Sequence, residues 1–118
     1  MKKLEFKPSL VYKIYKFYLS TYNKLDKLPK KNRYSIGQKI ENNILELLEL
    51  INLANIQIKN LREPILHKAS AKCNLLKLLI RLCYDLNLFN ERQYISLESQ
   101  IQEIGKMIGG WIKFARTQ

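Results

Sequence analysis

Glycine, proline, cysteine and histidine are all scarce in this sequence, with 4 Gly, 3 Pro, 2 Cys and 1 His among 118 residues. With so few breakers, no stretch shows strand alternation bounded by turn signals. Cys73 and Cys83 fall ten residues apart in one helical segment. That is about 15 Å along the axis, too far for a disulfide between them. Free buried thiols and a reducing cytoplasm are expected. The cysteines and the lone His67 lack metal-ligand spacing, so no metal is expected. No glycine-rich phosphate loop is present, since "YSIGQK" has the wrong spacing. No apolar run approaches a bilayer span. The start "MKKLEFKPSL" is basic, but lysine and tyrosine interrupt the residues after it and no small-residue cleavage site appears. No signal peptide is expected. Neither a catalytic site nor a cofactor is expected.

Acid is the other shortage. Asp and Glu number 10 against 21 Lys and Arg, giving a net charge of +11 and a pI near 9.7. Such an imbalance points to a polyanionic partner, nucleic acid foremost. The hydrophobic fraction is 47%, enough for a packed core and against disorder.

Breakers cut the chain into four segments, each with a hydrophobic period near 3.6. They predict helices over about residues 9–27, 30–59, 64–87 and 91–115 of one domain spanning 1–118. Pro8-Ser9 opens the first, with Ser9 as N-cap. Leu28-Pro29 breaks it, and Pro64 marks entry to the third. Asn90 caps the fourth, with Gln93 completing a capping box. Short connections make neighbours antiparallel, so the predicted class is all-α, an up-and-down four-helix bundle.

The second and third helices are over-apolar. Leu66, Ala69, Cys73, Leu76, Ile80 and Cys83 form a heptad-like core row, and Leu75, Leu79, Leu82 and Leu86 lie beside it. In the second helix, Leu47, Leu48, Leu50, Ile51, Leu53 and Ala54 leave only a thin stripe of Glu46, Glu49 and Asn52. A helix of an isolated bundle needs about one apolar face. Either these are the most buried helices, or they bury a second face against another subunit; a bundle this small has no room for a fully enclosed helix, which favours the second reading. The fourth helix is ordinary, with Tyr94, Leu97, Ile101, Ile104, Ile108 and Ile112 on one side.

The fourth helix nevertheless carries Gly105, Gly109 and Gly110 beside the only tryptophan, Trp111. Each should cost a helix interior roughly 0.5–1 kcal/mol relative to alanine. Gly105 and Gly109 share a side, so a close approach by another backbone or a ring is expected there, with Trp111 anchoring the tail. The competing reading is a fraying C-terminus.

Basic residues recur on several faces. Lys13, Lys16, Lys24 and Lys27 share one side of the first helix, with Ser20 in the gap and Tyr12, Tyr15 and Tyr22 alongside. Lys30, Lys31 and Arg33 follow. The third helix offers Lys68, Lys72, Lys77 and Arg81, and the fourth ends with Lys113 and Arg116. Lysine dominates, which suits diffuse phosphate attraction over bidentate base reading. Weakly sequence-specific, salt-sensitive binding is expected. Any single lysine reads equally as a solvated helix face.

The stretch "REPILH" sets four residues between Arg62 and His67, the spacing of the HEPN ribonuclease motif. An arginine and a histidine suit charge stabilisation and proton transfer in RNA cleavage. The motif is short and interrupted by Pro64, so this nuclease reading stays a remote alternative.

Three longer stretches carry a resemblance: "LPKKNRYSIGQKIENNILELLELINLAN", "LLKLLIRLCYDLNLFNERQY" and "EIGKMIGGWIK". Together they resemble the accessory variability determinant proteins of diversity-generating retroelements over almost the whole chain. The bundle proteins encoded in intervening sequences of bacterial 23S ribosomal RNA genes are a broader relative. They share the "RY" start, but a "SIPANIAEG"-like segment is replaced here by "ILELLELIN". The resemblance implies a non-catalytic bundle that assembles as a basic, barrel-like homopentamer. It implies binding to a reverse transcriptase and template RNA, with cDNA a further ligand, in support of adenine-mutagenic cDNA synthesis and retrohoming. Lys13, Lys16, Lys27, Lys30, Lys31, Arg33, Lys68, Lys72, Lys77, Arg81, Lys113 and Arg116 are then the candidate contacts. The alternative is a stand-alone RNA- or ribosome-associated bundle.

Overall fold

The computed structural model describes residues 9–117. Four helical rods form, and no strand occurs among the described residues. The first is α1 (Ser9–Leu25). The second runs through α2 (Lys30–Asn32), a π-helical turn (Arg33–Gly37) and α3 (Gln38–Ile56). The third is α4 (Lys59–Asp85), and the fourth is α5 (Glu91–Arg116). The expected opening at Pro8 lies outside the described residues, and Ser9 is the first residue of α1.

Rods next to each other in sequence are next to each other in space. α1 packs on α3 and α5, and α4 packs on α3 and α5. Cross-rod contacts fix the directions. Tyr18 donates to Glu41, Lys72 to Asn43, and Gln100 to Ser20, while Tyr84 stacks on Tyr94. The result is an antiparallel four-helix bundle. One pole carries the α1–α2 and α4–α5 turns. The other carries the α3–α4 turn, with the start of α1 and the end of α5.

Three-and-four spacing supplies the core. Ile14 and Phe17 of α1 meet Ile40, Ile44, Leu47 and Ile51 of α3. Leu66, Leu76 and Ile80 of α4 and Leu97, Ile101 and Ile108 of α5 close the other side. Full burial of each such side chain contributes about 1.5–3 kcal/mol. The predicted α4 row of Leu66, Ala69, Cys73, Leu76, Ile80 and Cys83 is buried throughout. Burial pushes both thiols, Cys73 and Cys83, up to about 11, with Lys77 partly offsetting the effect at Cys73.

Three expectations need correction. The third rod starts at Lys59, before Pro64, which sits inside α4 and is exposed. Proline removes one intrahelical donor, and this close to the helix start the freed Asn60 carbonyl lies at an exposed residue. The second α4 row is not one outward stripe, because Leu79 belongs to the core. Leu75 is partly buried against the core, and the outward stripe is Leu78, Leu82 and Leu86, with Leu78 65% exposed and Leu86 57%. The expected close packing at Gly105 and Gly109 is not made within the bundle. A Cβ on Gly109 or Gly110 would meet nothing within 4 Å, and one on Gly105 would meet only the Lys77 Nζ at 3.8 Å.

Both turns at the first pole are built from local chemistry. Asn87 takes a left-handed backbone with φ 61°. Its N–H bonds the Tyr84 carbonyl, and the Leu88 N–H bonds the Cys83 carbonyl at 2.8 Å. This double closure is the Schellman arrangement, with asparagine in place of the usual glycine. Two residues later the Asn90 side chain accepts from the Gln93 N–H, and Gln93 accepts from the Asn90 N–H, forming the predicted capping box. At the other turn Gly37 is buried in the π-helical segment. A Cβ there would stand 3.2 Å from the Asn32 carbonyl oxygen. That is the one glycine the packing requires.

Candidate nucleic-acid interface

The bundle distributes the candidate cations over several faces. Lys13 and Lys16 line a groove between α1 and α5 with Gln100, Glu103 and Ile104, with a volume of about 270 Å³. Lys13 is ion-paired to Glu103, and the Lys16 ammonium lies 5.4 Å from the Tyr12 ring centroid. Ser20 does more than fill a gap: its Oγ accepts from Lys24 at 3.1 Å and from Gln100 at 3.3 Å. Burial, and then Lys27, push Lys24 below its ordinary value.

At the α1–α2 turn Lys27, Lys30 and Lys31 are exposed and have no carboxylate partner among the described residues. Arg33 is different. Its Nη1 reaches the Asp26 carbonyl at 3.5 Å and the Asp26 carboxylate at 3.8 Å. Its Nε is buried without an acceptor.

On α4 the four candidates split between two sides. Lys68 and Lys72 face α3, where they flank a shallow apolar groove of about 480 Å³ floored by Leu50, Leu53 and Ala71. Lys72 is held by the Asn43 side chain at 3.0 Å and by an ion pair to Glu46. That pairing keeps the Glu46 carboxyl below its usual range. Lys77 and Arg81 face α5. Arg81 pairs with Asp85 at 3.0 Å and lies 5.9 Å and 6.0 Å from the stacked Tyr84 and Tyr94 rings. At the far pole Lys113 is exposed, and Arg116 bonds Glu63 at 3.3 Å and approaches His67 at 3.4 Å. Lys13, Lys72, Arg81 and Arg116 are therefore partly neutralised locally. Lys27, Lys30, Lys31, Lys68, Lys77 and Lys113 keep their charge free of carboxylates among the described residues. Sequence reasoning passed over Lys106, exposed one heptad before Lys113, a spacing that was open to view.

The "REPILH" pair does not form a site. Arg62 donates to the Ala54 and Gln57 carbonyls at 2.9 and 2.8 Å, tying off the end of α3. His67 turns to Glu63 and Arg116 on the α5 side. Among the described residues no group of three or more metal-ligating side chains converges, and no helix is long and apolar enough to cross a membrane.

Another cleft with convergent polar groups lies at the α1–α2 turn. Tyr22 of α1, Asp26 just beyond it, Arg33 and Tyr34 of the π turn, and Gln38 and Asn42 of α3 line a cleft of about 390 Å³. Glu41 also lines it and accepts the Tyr18 hydroxyl at 3.2 Å. Burial first, and then Glu41, raise that phenol. Sequence reasoning missed Tyr22's partners here. The available signal was the run "RYSIGQ" itself.

A family model described as bAvd-like matches residues 9–115. The chain belongs to the bAvd-like family. The resemblance to accessory variability determinants is thereby shown, and that family is one of accessory, non-catalytic proteins. A comparison with curated proteins finds no match. The match spans all four rods, so the candidate cations of α1, the α1–α2 turn, α4 and α5 fall within it, apart from Arg116.

Proposed function

We propose that this bundle is a non-catalytic accessory protein of a diversity-generating retroelement, acting in the cytoplasm. It binds the reverse transcriptase and the template RNA and holds them together during mutagenic cDNA synthesis. The observation that carries this reading is the family match across residues 9–115. The net charge of +11 supports it, as do the lysines left free of carboxylates. The role is electrostatic: phosphate contact releases counterions and retains RNA without reading sequence.

Self-assembly is part of the proposal, and a pentamer is the state the family suggests. The outward α4 stripe of Leu78, Leu82 and Leu86 supports it, together with Leu45, Leu53 and Ile56 exposed on α3. Apolar rows of this length on a small bundle favour burial against a second copy. A ring would repeat the cations and raise phosphate affinity through multivalency.

The test is co-purification with the reverse transcriptase and template RNA of the same source at about 0.5 M salt, where bare phosphate attraction is weakened. The preparation is run with and without ribonuclease. Enzyme retained in both establishes a direct contact. Enzyme lost only with ribonuclease means that RNA bridges the two. Enzyme absent from both would overturn the accessory role.

A further inference from the structure

We propose that the cleft at the α1–α2 turn seats one unpaired nucleobase of single-stranded RNA, with Tyr22, Arg33 and Tyr34 as its flat faces. Gln38 and Asn42 supply edge contacts. This deepens the RNA-binding reading above and rests on it.

Geometry is the first argument. The volume of about 390 Å³ lies near the lower end of small-ligand sites, about 300–1,000 Å³, and suits one nucleoside rather than a duplex. Tyr34 is 62% exposed and Tyr22 is 48%, unusual exposure for rings that line a cleft. The Arg33 guanidinium stands 5.1 Å over the Tyr34 ring centroid, so it holds the ring from one face. Unpaired bases stack on such aromatic and guanidinium planes.

Charge selects a base over a phosphate. Asp26 and Glu41 set two carboxylates against one guanidinium in the lining, so a phosphate would be repelled. A nucleobase is neutral, and its amino groups donate to carboxylates and amides. Phosphates on either side of the seated base then meet Lys27, Lys30 and Lys31, exposed and without carboxylates in the same turn.

A peptide fits less well. Leu25 is the sole aliphatic side chain in the lining, whereas helix and strand partners dock through apolar grooves. The backbone is unusual at the same place. The turn Arg33–Gly37 is π-helical, a form concentrated at functional sites, and Gly37 lets it close on the Asn32 carbonyl.

The experiment uses the whole protein and two single-stranded oligomers of about ten nucleotides, within the usual site size. One carries adenine with a single 2-aminopurine, and the other is abasic. Wild type should bind the base-bearing oligomer more tightly and quench the 2-aminopurine. Tyr34→Ala should weaken that binding by about tenfold and abolish quenching, with the abasic oligomer unaffected. Tyr34→Phe should behave as wild type. Circular dichroism checks that each variant keeps its helices. Equal wild-type affinity for both oligomers, or equal loss on both in Tyr34→Ala, overturns the base seat and leaves RNA binding standing. Loss of enzyme capture in Tyr34→Ala with unchanged RNA affinity overturns it in favour of a protein contact. Binding of neither oligomer by wild type overturns both readings.

Discussion

Arg62 places its guanidinium 5.6 Å from the ring centroid of Trp111 while donating to two carbonyls at the end of α3. One side chain thus joins α3, α4 and α5. Trp111 is half-buried against the core, so the tail of α5 is anchored rather than frayed. Arg62→Ala should cost about 2 kcal/mol, since carbonyls lose charged donors and the ring loses its cation. Arg62→Lys should recover less than half, because an ammonium cannot span two carbonyls and stack as well. Urea unfolding measures the loss, and a red shift of Trp111 emission reports the exposed ring.

Gly109→Ala should stabilise an isolated subunit by roughly 0.5–1 kcal/mol, because a Cβ there meets nothing within 4 Å and alanine favours helix. Thermal unfolding at low concentration tests this. A loss of assembled mass in the same variant would place the close approach between copies.

Leu78→Lys combined with Leu82→Lys should dissolve the proposed assembly. Leu78 is 65% exposed and Leu82 48%, so the subunit itself should shift by no more than about 0.5 kcal/mol. Light scattering reads the mass, and circular dichroism reads the helices. Unchanged mass would remove the α4 stripe from the interface.

Alkali should destabilise the fold through its thiols. Cys73 and Cys83 rise from an ordinary 9.0 to about 11 in the native protein. Between those values the unfolded chain has lost protons that the native chain keeps, so stability falls as pH rises from about 9 towards 11. The loss approaches roughly 2–3 kcal/mol per thiol at the upper limit. Denaturation series for wild type and for Cys73→Ala/Cys83→Ala isolate this component. Below about pH 9 both thiols should resist Ellman's reagent until the protein unfolds.

Much of this fold was legible because its signals are local. The α4 core row from Leu66 to Cys83 follows from spacing, and the Asn90–Gln93 box follows from adjacent residues. The illegible part depends on distant stretches of the chain. Nothing near Lys13 announces Glu103, and nothing near Lys72 announces Glu46, yet those pairs decide which lysines keep their charge. The start of α4 was misplaced because Pro64 usually marks a first turn, whereas here the helix tolerates one missing donor. The π-helical turn left no trace in periodicity, since five residues are too few to shift a pattern. The glycines were harder to read because a small-residue face suggests a close neighbour, and within the subunit no atom lies within 4 Å of a Cβ built on Gly109 or Gly110.

The up-and-down course brings Ser9 and Arg116 to the same pole, with the Arg33 turn at the opposite one. α1 has 17 residues and so spans about 25 Å. A fluorophore, affinity handle or surface tether attached at the pole of Ser9 and Arg116 therefore stands about that far from the cleft. Immobilised through that pole, the protein presents its tyrosine-lined turn outward, away from the support.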